Sequence, residues 1–188
     1  KTKELIGRIE NESKRMGSLV EDLLLLARLD QSREMKSDPV NLTQIVSDAV
    51  ASARAAGQNH IVNFDEQGEE IYALGDKDRI HQVVANLLAN ARTHTPAGTI
   101  IDVSVKQDTD GVRIRIADNG PGLSAADQAR IFERFYRADA SRVRTDGEGT
   151  GLGLSIVDAV MRAHAGEVSV QSEVGKGAVF TLFFPLGS

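Results

Sequence analysis

Asp118-Asn119-Gly120-Pro121-Gly122 directly follows Val112 to Ala117, an alternating run that reads as a β-strand. Two glycines after an acidic residue at a strand end let the backbone come close to a flat ligand. A carboxylate accepts hydrogen bonds, so Asp118 suits an amino group such as that of adenine. An ordinary Asp-Asn-Gly turn has the same residues, so the neighbouring segments must decide. Upstream, Ile100 to Lys106 reads as a second alternating strand, joined to the first by a turn at Asp108 to Gly111. Before it, Asp76 to Thr93 places Ile80, Val83, Val84, Leu87, Leu88 and Ala91 at helical spacing, and Thr95-Pro96-Ala97-Gly98 stops the helix. Asn86 and Asn90 are four residues apart on that helix and project from one face. Amide oxygens are hard neutral ligands, suited to a Mg2+ that keeps its waters and bridges phosphate oxygens. A wet helix flank would carry the same pair.

Downstream, a short helix is expected near Ala125 to Phe132, and residues 137–151 are polar and without periodicity. Gly147-Glu148-Gly149-Thr150-Gly151-Leu152-Gly153-Leu154 then opens a helix that runs to Ala165. Backbone N–H groups at a helix start, with no side chains in the way, cradle phosphates. This is not a Walker loop, since no Gly-Lys-Ser/Thr follows, and it lacks the preceding strand of a dinucleotide fingerprint. Glu167 to Ser172 and Ala178 to Phe184 read as closing strands around a hairpin at Gly175-Lys176-Gly177. Towards the N-terminus, Asn41 caps a helix from Leu42 to about Ala56, and strands are expected at His60 to Phe64 and Ile71 to Leu74. Strands grouped with helices, without strict β-α-β alternation, predict an α/β (α+β) two-layer sandwich. Its mixed sheet would carry helices on one face.

Residues 1–31 read differently. Leu5, Ile9, Met16, Leu19, Leu23, Leu26 and Leu29 form a narrow seam near heptad spacing, with Lys3, Glu4, Arg8, Glu12, Lys14, Glu21 and Asp22 opposite. The pattern favours packing on a partner helix over packing on the chain's own core. Residues 32–39, ending at Pro39, read as a linker, and 40–186 as the main domain.

The 188 residues include no cysteine, which excludes disulfides and thiolate chemistry. A net charge of -5 and only 4% aromatic residues argue against nucleic-acid binding. The longest apolar run, Leu23 to Ala27, is too short to span a bilayer, and no signal peptide opens the sequence, so a cytoplasmic location is expected.

Taken in order, these elements resemble the nucleotide-binding domain of bacterial sensor histidine kinases. Asn86 to Ala91 with His94-Thr95-Pro96 is similar to the family's asparagine box, and Asp118 to Gly122 to its first glycine box. Ile131-Phe132-Glu133-Arg134-Phe135-Tyr136-Arg137 resembles the phenylalanine box, Gly149 to Leu154 the second glycine box, and Gly175 to Thr181 the closing hairpin. The resemblance implies ATP held with Mg2+ under a lid at about Arg137 to Glu148. It implies that Asn90 coordinates the metal with Asn86 assisting, and that Asp118 binds the adenine amino group. Gly120 and Gly122 would leave room for the base, with His94 lining the pocket or serving structure alone. Arg137 would grip the terminal phosphate, and Gly149, Thr150, Gly151, Leu152 and Gly153 would surround the phosphates. Phe132 and Phe135 are expected to anchor the root of the lid in the core.

Related ATPases carry a glutamate at the position of Asn86 to activate water. An amide is no base at neutral pH, so slow hydrolysis is expected here. The family's acceptor histidine lies in a His-Glu-Leu-Arg-Thr-Pro-like motif, and His60, His81, His94 and His164 match none. Residues 1–31 resemble instead the second helix of the dimerisation hairpin. The resemblance therefore implies partners outside this sequence: an acceptor helix, a second protomer, a response regulator, and a membrane anchor in the parent protein. Two other readings are a non-catalytic module in which nucleotide orders a partner-binding lid, and a serine-directed kinase of the anti-sigma type. The hairpin-like helix speaks against the second.

Overall fold

Three side chains set where helices begin. Asn41 accepts a hydrogen bond from Gln44 N at 3.0 Å, Asp76 from Asp78 N and Arg79 N at 3.0 and 3.2 Å, and Ser124 from Asp127 N at 3.1 Å. Each satisfies helix N–H groups that have no partner within the helix. The computed structural model describes residues 2–30, 36–57, 59–65, 69–138 and 150–186. It divides into two compact units, residues 1–33 and 34–188.

The first unit is helix α1 (Thr2–Asp30). Ile9, Met16 and Leu23, seven residues apart, are exposed, and Ile6, Val20 and Leu24 widen the exposed apolar stripe. The side chains of Lys3, Glu4, Leu5, Arg8 and Lys14 lie outside the described residues.

In the second unit the elements are β1 (Asp38–Asn41), α2 (Leu42–Ala55), β2 (Ile61–Asn63), β3 (Tyr72–Gly75), α3 (Lys77–His94), β4 (Ile100–Gln107) and β5 (Gly111–Asp118). There follow α4 (Ala125–Gln128), α5 (Gly153–Ala163), β6 (Glu167–Glu173) and β7 (Gly177–Pro185). The main sheet has the order β2-β4-β5-β7-β6; β2 runs parallel to β4 and the remaining pairs are antiparallel. Val112, Ile114 and Ile116 on β5 pair with Phe184, Leu182 and Phe180 on β7, and all six are buried. Arg113, Arg115, Thr181 and Phe183 take the alternate positions of the same strands, as a period of two requires. The buried face packs against α2, α3 and α5, whose Ile45, Val50, Val84, Leu88, Ile156 and Val160 are fully buried. Each such side chain contributes about 1.5–3 kcal/mol through burial.

The expected mixed sheet with helices on one face is present, and two local expectations are corrected. Residues 38–41 form β1, which pairs antiparallel with β3, so Pro39 belongs to a strand rather than a linker. Proline is tolerated there because the ribbon has two strands and a free edge. The helix expected over Ala125 to Phe132 ends at Gln128 and gives way to turns. The region between α4 and α5 includes residues 139–149, which lie outside the described residues.

His164, just past α5, ties the helical layer together. Its Nδ1–H donates to Val160 O at 2.8 Å, and Nε2 accepts from Asp76 N at 3.0 Å, at the start of α3. A Cβ on Gly75 would come within 2.8 Å of the imidazole, so glycine is needed for this approach. Replacing His164 by alanine leaves the Asp76 N–H without its acceptor. The expected cost is about 1–3 kcal/mol, read as a lower urea midpoint.

Candidate functional site

Four segments far apart in sequence meet at the end of β5. Asp118, half-buried at the last position of β5, accepts the Gly120 N–H on Oδ1 at 2.8 Å. Its Oδ2 accepts no hydrogen bond among the described residues. Asn119 fixes the strand exit, since its Oδ1 accepts Ile100 N at 2.8 Å and its N–H donates to Ile100 O at 3.2 Å. The end of α3 reaches the same loop: a Cβ on Gly120 would sit 2.6 Å from Thr95 Cγ2. Thr95 Oγ1 donates to Ala91 O at 2.7 Å, and His60 Nε2 lies 3.0 Å from that oxygen and 3.3 Å from Thr95 O. With the hydroxyl proton spent on Ala91, His60 Nε2 carries the proton and donates to Thr95.

The tip of the β6–β7 hairpin forms the floor. Gly122 (φ +70) and Gly177 (φ +85) hold conformations that side chains rarely adopt. A Cβ on Gly122 would overlap the Glu173 carbonyl oxygen, and one on Gly177 the carbonyl oxygen of Asp118. Gly175 N donates to Pro121 O at 2.7 Å. The glycines after Asp118 are therefore required by the protein's own packing.

On the other side, Asn86 Nδ2 of α3 donates to Gly153 O at 3.4 Å, joining the asparagine helix to the second glycine segment. Asn86 and Asn90 are both half-buried. Among the described residues no side chain caps the N-terminus of α5, and a Cβ on Gly153 would meet open space. Thr150 Oγ1 accepts Leu152 N at 3.4 Å, and Leu152 is fully buried. Gly149 lies outside the described residues, and His94 and Arg137 are exposed.

Phe135 departs from expectation. It is 60% exposed with φ +63, so it does not anchor in the core, while Phe132 is half-buried. What fixes this segment is polar. Phe135 N donates to Gly151 O at 3.0 Å. Tyr136 Oη donates to Asp127 Oδ1 at 2.9 Å, and the Arg130 guanidinium stacks 4.4 Å from the Tyr136 ring. The Ser124 hydroxyl donates to Asp127 Oδ2 at 2.5 Å. These bonds, from Ser124 first and Tyr136 second, hold the Asp127 carboxyl below its ordinary value. Ser124-Ala125-Ala126-Asp127 has the spacing of a capping motif and could have been read as one, whereas Tyr136 carried no sequence signal for this partner.

Residues 75–188 match the family model described as histidine kinase-, DNA gyrase B- and HSP90-like ATPases. The chain belongs to this ATPase family. It is 47% identical over 170 residues to the probable sensor histidine kinase TcrY of Mycobacterium tuberculosis, covering 90% of this chain and 36% of TcrY. The mycobacterial sensor histidine kinase MprB superposes with a TM-score of 0.70 at 26% identity, covering 79% of this chain and 97% of the MprB chain. Full-length ShkA in complex with AMPPNP gives a TM-score of 0.77 at 30% identity, covering 99% of this chain and 40% of ShkA. The chain spans well under half the length of TcrY and of ShkA. Among these ATPases its fold and its ATP-binding catalytic domain are of the sensor-kinase kind. No helix among the described residues is long and apolar enough to cross a membrane.

Two outcomes are expected of this geometry. Gly177→Ala should lower the urea midpoint by the equivalent of about 3 kcal/mol or more, combining left-handed strain with overlap on Asp118. Tyr136→Phe removes the hydroxyl that helps hold the Asp127 carboxyl low. A depressed carboxyl stabilises above its unfolded value and loses that contribution as pH falls through its folded value. The midpoint difference between wild type and Tyr136→Phe should therefore be present at pH 7 and shrink as pH falls below the carboxylate range.

Proposed function

We propose that this chain binds ATP with Mg2+ and, within a sensor histidine kinase, passes the γ-phosphoryl group to a histidine of the dimerisation hairpin to which α1 belongs. The observation that carries the reading is the Asn86–Gly153 hydrogen bond, which sets an amide-bearing helix face beside a helix N-terminus that no described side chain caps. Amide oxygens and backbone N–H groups suit a metal–triphosphate unit, with neutral oxygens for the cation and positive dipole ends for the phosphates. The AMPPNP held by ShkA supports the same assignment.

In this reading Asp118 takes the adenine amino group on the carboxylate oxygen that Gly120 leaves open. Gly120 and Gly122 shape the loop beside the base, and His94 borders it. Asn90 is the metal ligand and Asn86 assists. Gly149, Thr150, Gly151, Leu152 and Gly153 surround the phosphates, and Arg137 grips the terminal one as a guanidinium fork. Mg2+, when bound, would be held by Asn90 with Asn86 assisting and would offset the charge of the phosphates. The acceptor imidazole nitrogen bonds to the γ-phosphorus as the bond to the ADP oxygen breaks, ADP leaves with that electron pair, and the proton on the other ring nitrogen passes to water. Asn86 takes no proton, so water is not activated at that position and the chain's task is positioning and charge stabilisation. Partners follow from the same reading: an acceptor helix, a second protomer seated on the α1 stripe, and a response regulator that receives the phosphoryl group.

Calorimetric titration with ATP, with and without Mg2+, tests this directly. Asp118→Ala should abolish measurable binding, and Asn90→Ala should lose the Mg2+-dependent part, at least about tenfold in affinity. An added acceptor-helix peptide should gain an acid-labile phosphoryl group. An acid-stable product would point to a serine-directed kinase, and binding without transfer to the nucleotide-dependent interaction module.

A further inference from the structure

We infer that Gln128 and Ser172 are positioning residues for the base end of the nucleotide site, setting where the loop after Asp118 sits. Strand β6 is an edge of the sheet, so the outward N–H and C=O of Ser172 have no strand to pair with. The Gln128 side chain takes that place. Its Oε1 accepts Ser172 N at 3.1 Å, and its Nε2 donates to Ser172 O at 3.0 Å and to Leu123 O at 3.1 Å. Each polar atom of the amide is thus engaged. Ser172 Oγ completes the clamp, accepting Leu123 N at 2.7 Å and donating to Gly177 O at 2.6 Å. Both backbone polar groups of Leu123 are held by these two side chains.

The consequence follows from where the loop is fixed. Its front is pinned by Asn119 on Ile100 and by Gly120 on Asp118. Between that pin and Leu123 the loop is held at Pro121, whose carbonyl accepts Gly175 N, and turns at Gly122, a residue type with more backbone freedom than any other. Without the rear clamp the hairpin contact at Pro121 and the packing of Gly122 remain as restraints behind that pin, so the loop moves more readily away from Asp118 and binding must supply more of the ordering. Neither Gln128 nor Ser172 belongs to the set facing the nucleotide, so their action is exerted through the loop. The inference rests on the proposal that Asp118 and this loop hold adenine.

The test titrates Gln128→Met, Ser172→Ala and Ser172→Thr with ATP and with ADP, with urea midpoints measured beside them. Gln128→Met keeps the length of the side chain and removes its hydrogen bonds, while Ser172→Thr retains the hydroxyl. The expected result is about tenfold weaker binding of both nucleotides by Gln128→Met and by Ser172→Ala. The ratio of ATP to ADP affinity should stay unchanged, because the phosphate end is untouched. Ser172→Thr should recover most of the affinity, and turnover at saturating ATP with an acceptor helix should match wild type. Folded variants that bind as wild type does, or a changed ATP-to-ADP ratio, would overturn the inference. Should Gln128→Met not fold, the Ser172→Ala and Ser172→Thr pair decides alone. A wild-type chain that binds neither nucleotide would instead bring down the adenine reading, and the clamp with it.

Discussion

The approach of the β6–β7 hairpin to the end of β5 brings Gly177 against the Asp118 carbonyl, closer than any side chain permits. Asp118 pairs with Ala178 in register, so β7 continues the sheet past the point where β5 turns away. That contact places the hairpin tip beneath Pro121 and Gly122, and these carry the loop that brings Gly120 against Thr95. The site is thus a by-product of sheet closure. What looks like freedom for a ligand in the glycines after Asp118 is first a condition for the strands to meet.

A second constraint sits at the neck of the region between α4 and α5. Phe135 holds a left-handed conformation, costing a non-glycine residue about 1–2 kcal/mol, and Gly151 opposite it is left-handed as well. The Phe135–Gly151 hydrogen bond and the stacked, hydrogen-bonded Tyr136 ring offset that strain. The aromatic ring of Phe135 gains nothing from the core. Its backbone, not its side chain, does the joining.

Much of this was legible in the amino-acid sequence, because it depends on period and punctuation. Alternation over Ile100 to Ala117 and the inner stripe of α3 located β4, β5 and α3 to within a residue or two, and Asn41 marked its cap. The glycine and asparagine segments were visible as candidates, and their roles rest on the family resemblance. Other features lay beyond reach for definable reasons. Strand β1 is short, contains Pro39, and exists only because β3 lies beside it. Phe135 looked like core since aromatic residues usually are, and only tertiary hydrogen bonding turns it outward. The contacts of Gln128 with Ser172, and of His164 with Asp76, join residues 44 and 88 positions apart through two hydrogen bonds and one. Such pairs leave no periodic trace.

The pairing of Val112 with Phe184 also bears on how the fold comes into being. The central strand β5 has β4 as an early neighbour, but its other edge waits for β7. Until β7 exists, the apolar faces of α3 and α5 lack much of the sheet that covers them, and β5 presents an unpaired edge. Contacts this distant in sequence slow folding, since a long loop must close before any stabilisation is gained. On the ribosome the same order means that a largely synthesised domain carries an open, sticky strand until its last hairpin emerges, the interval in which a chaperone is most useful to it.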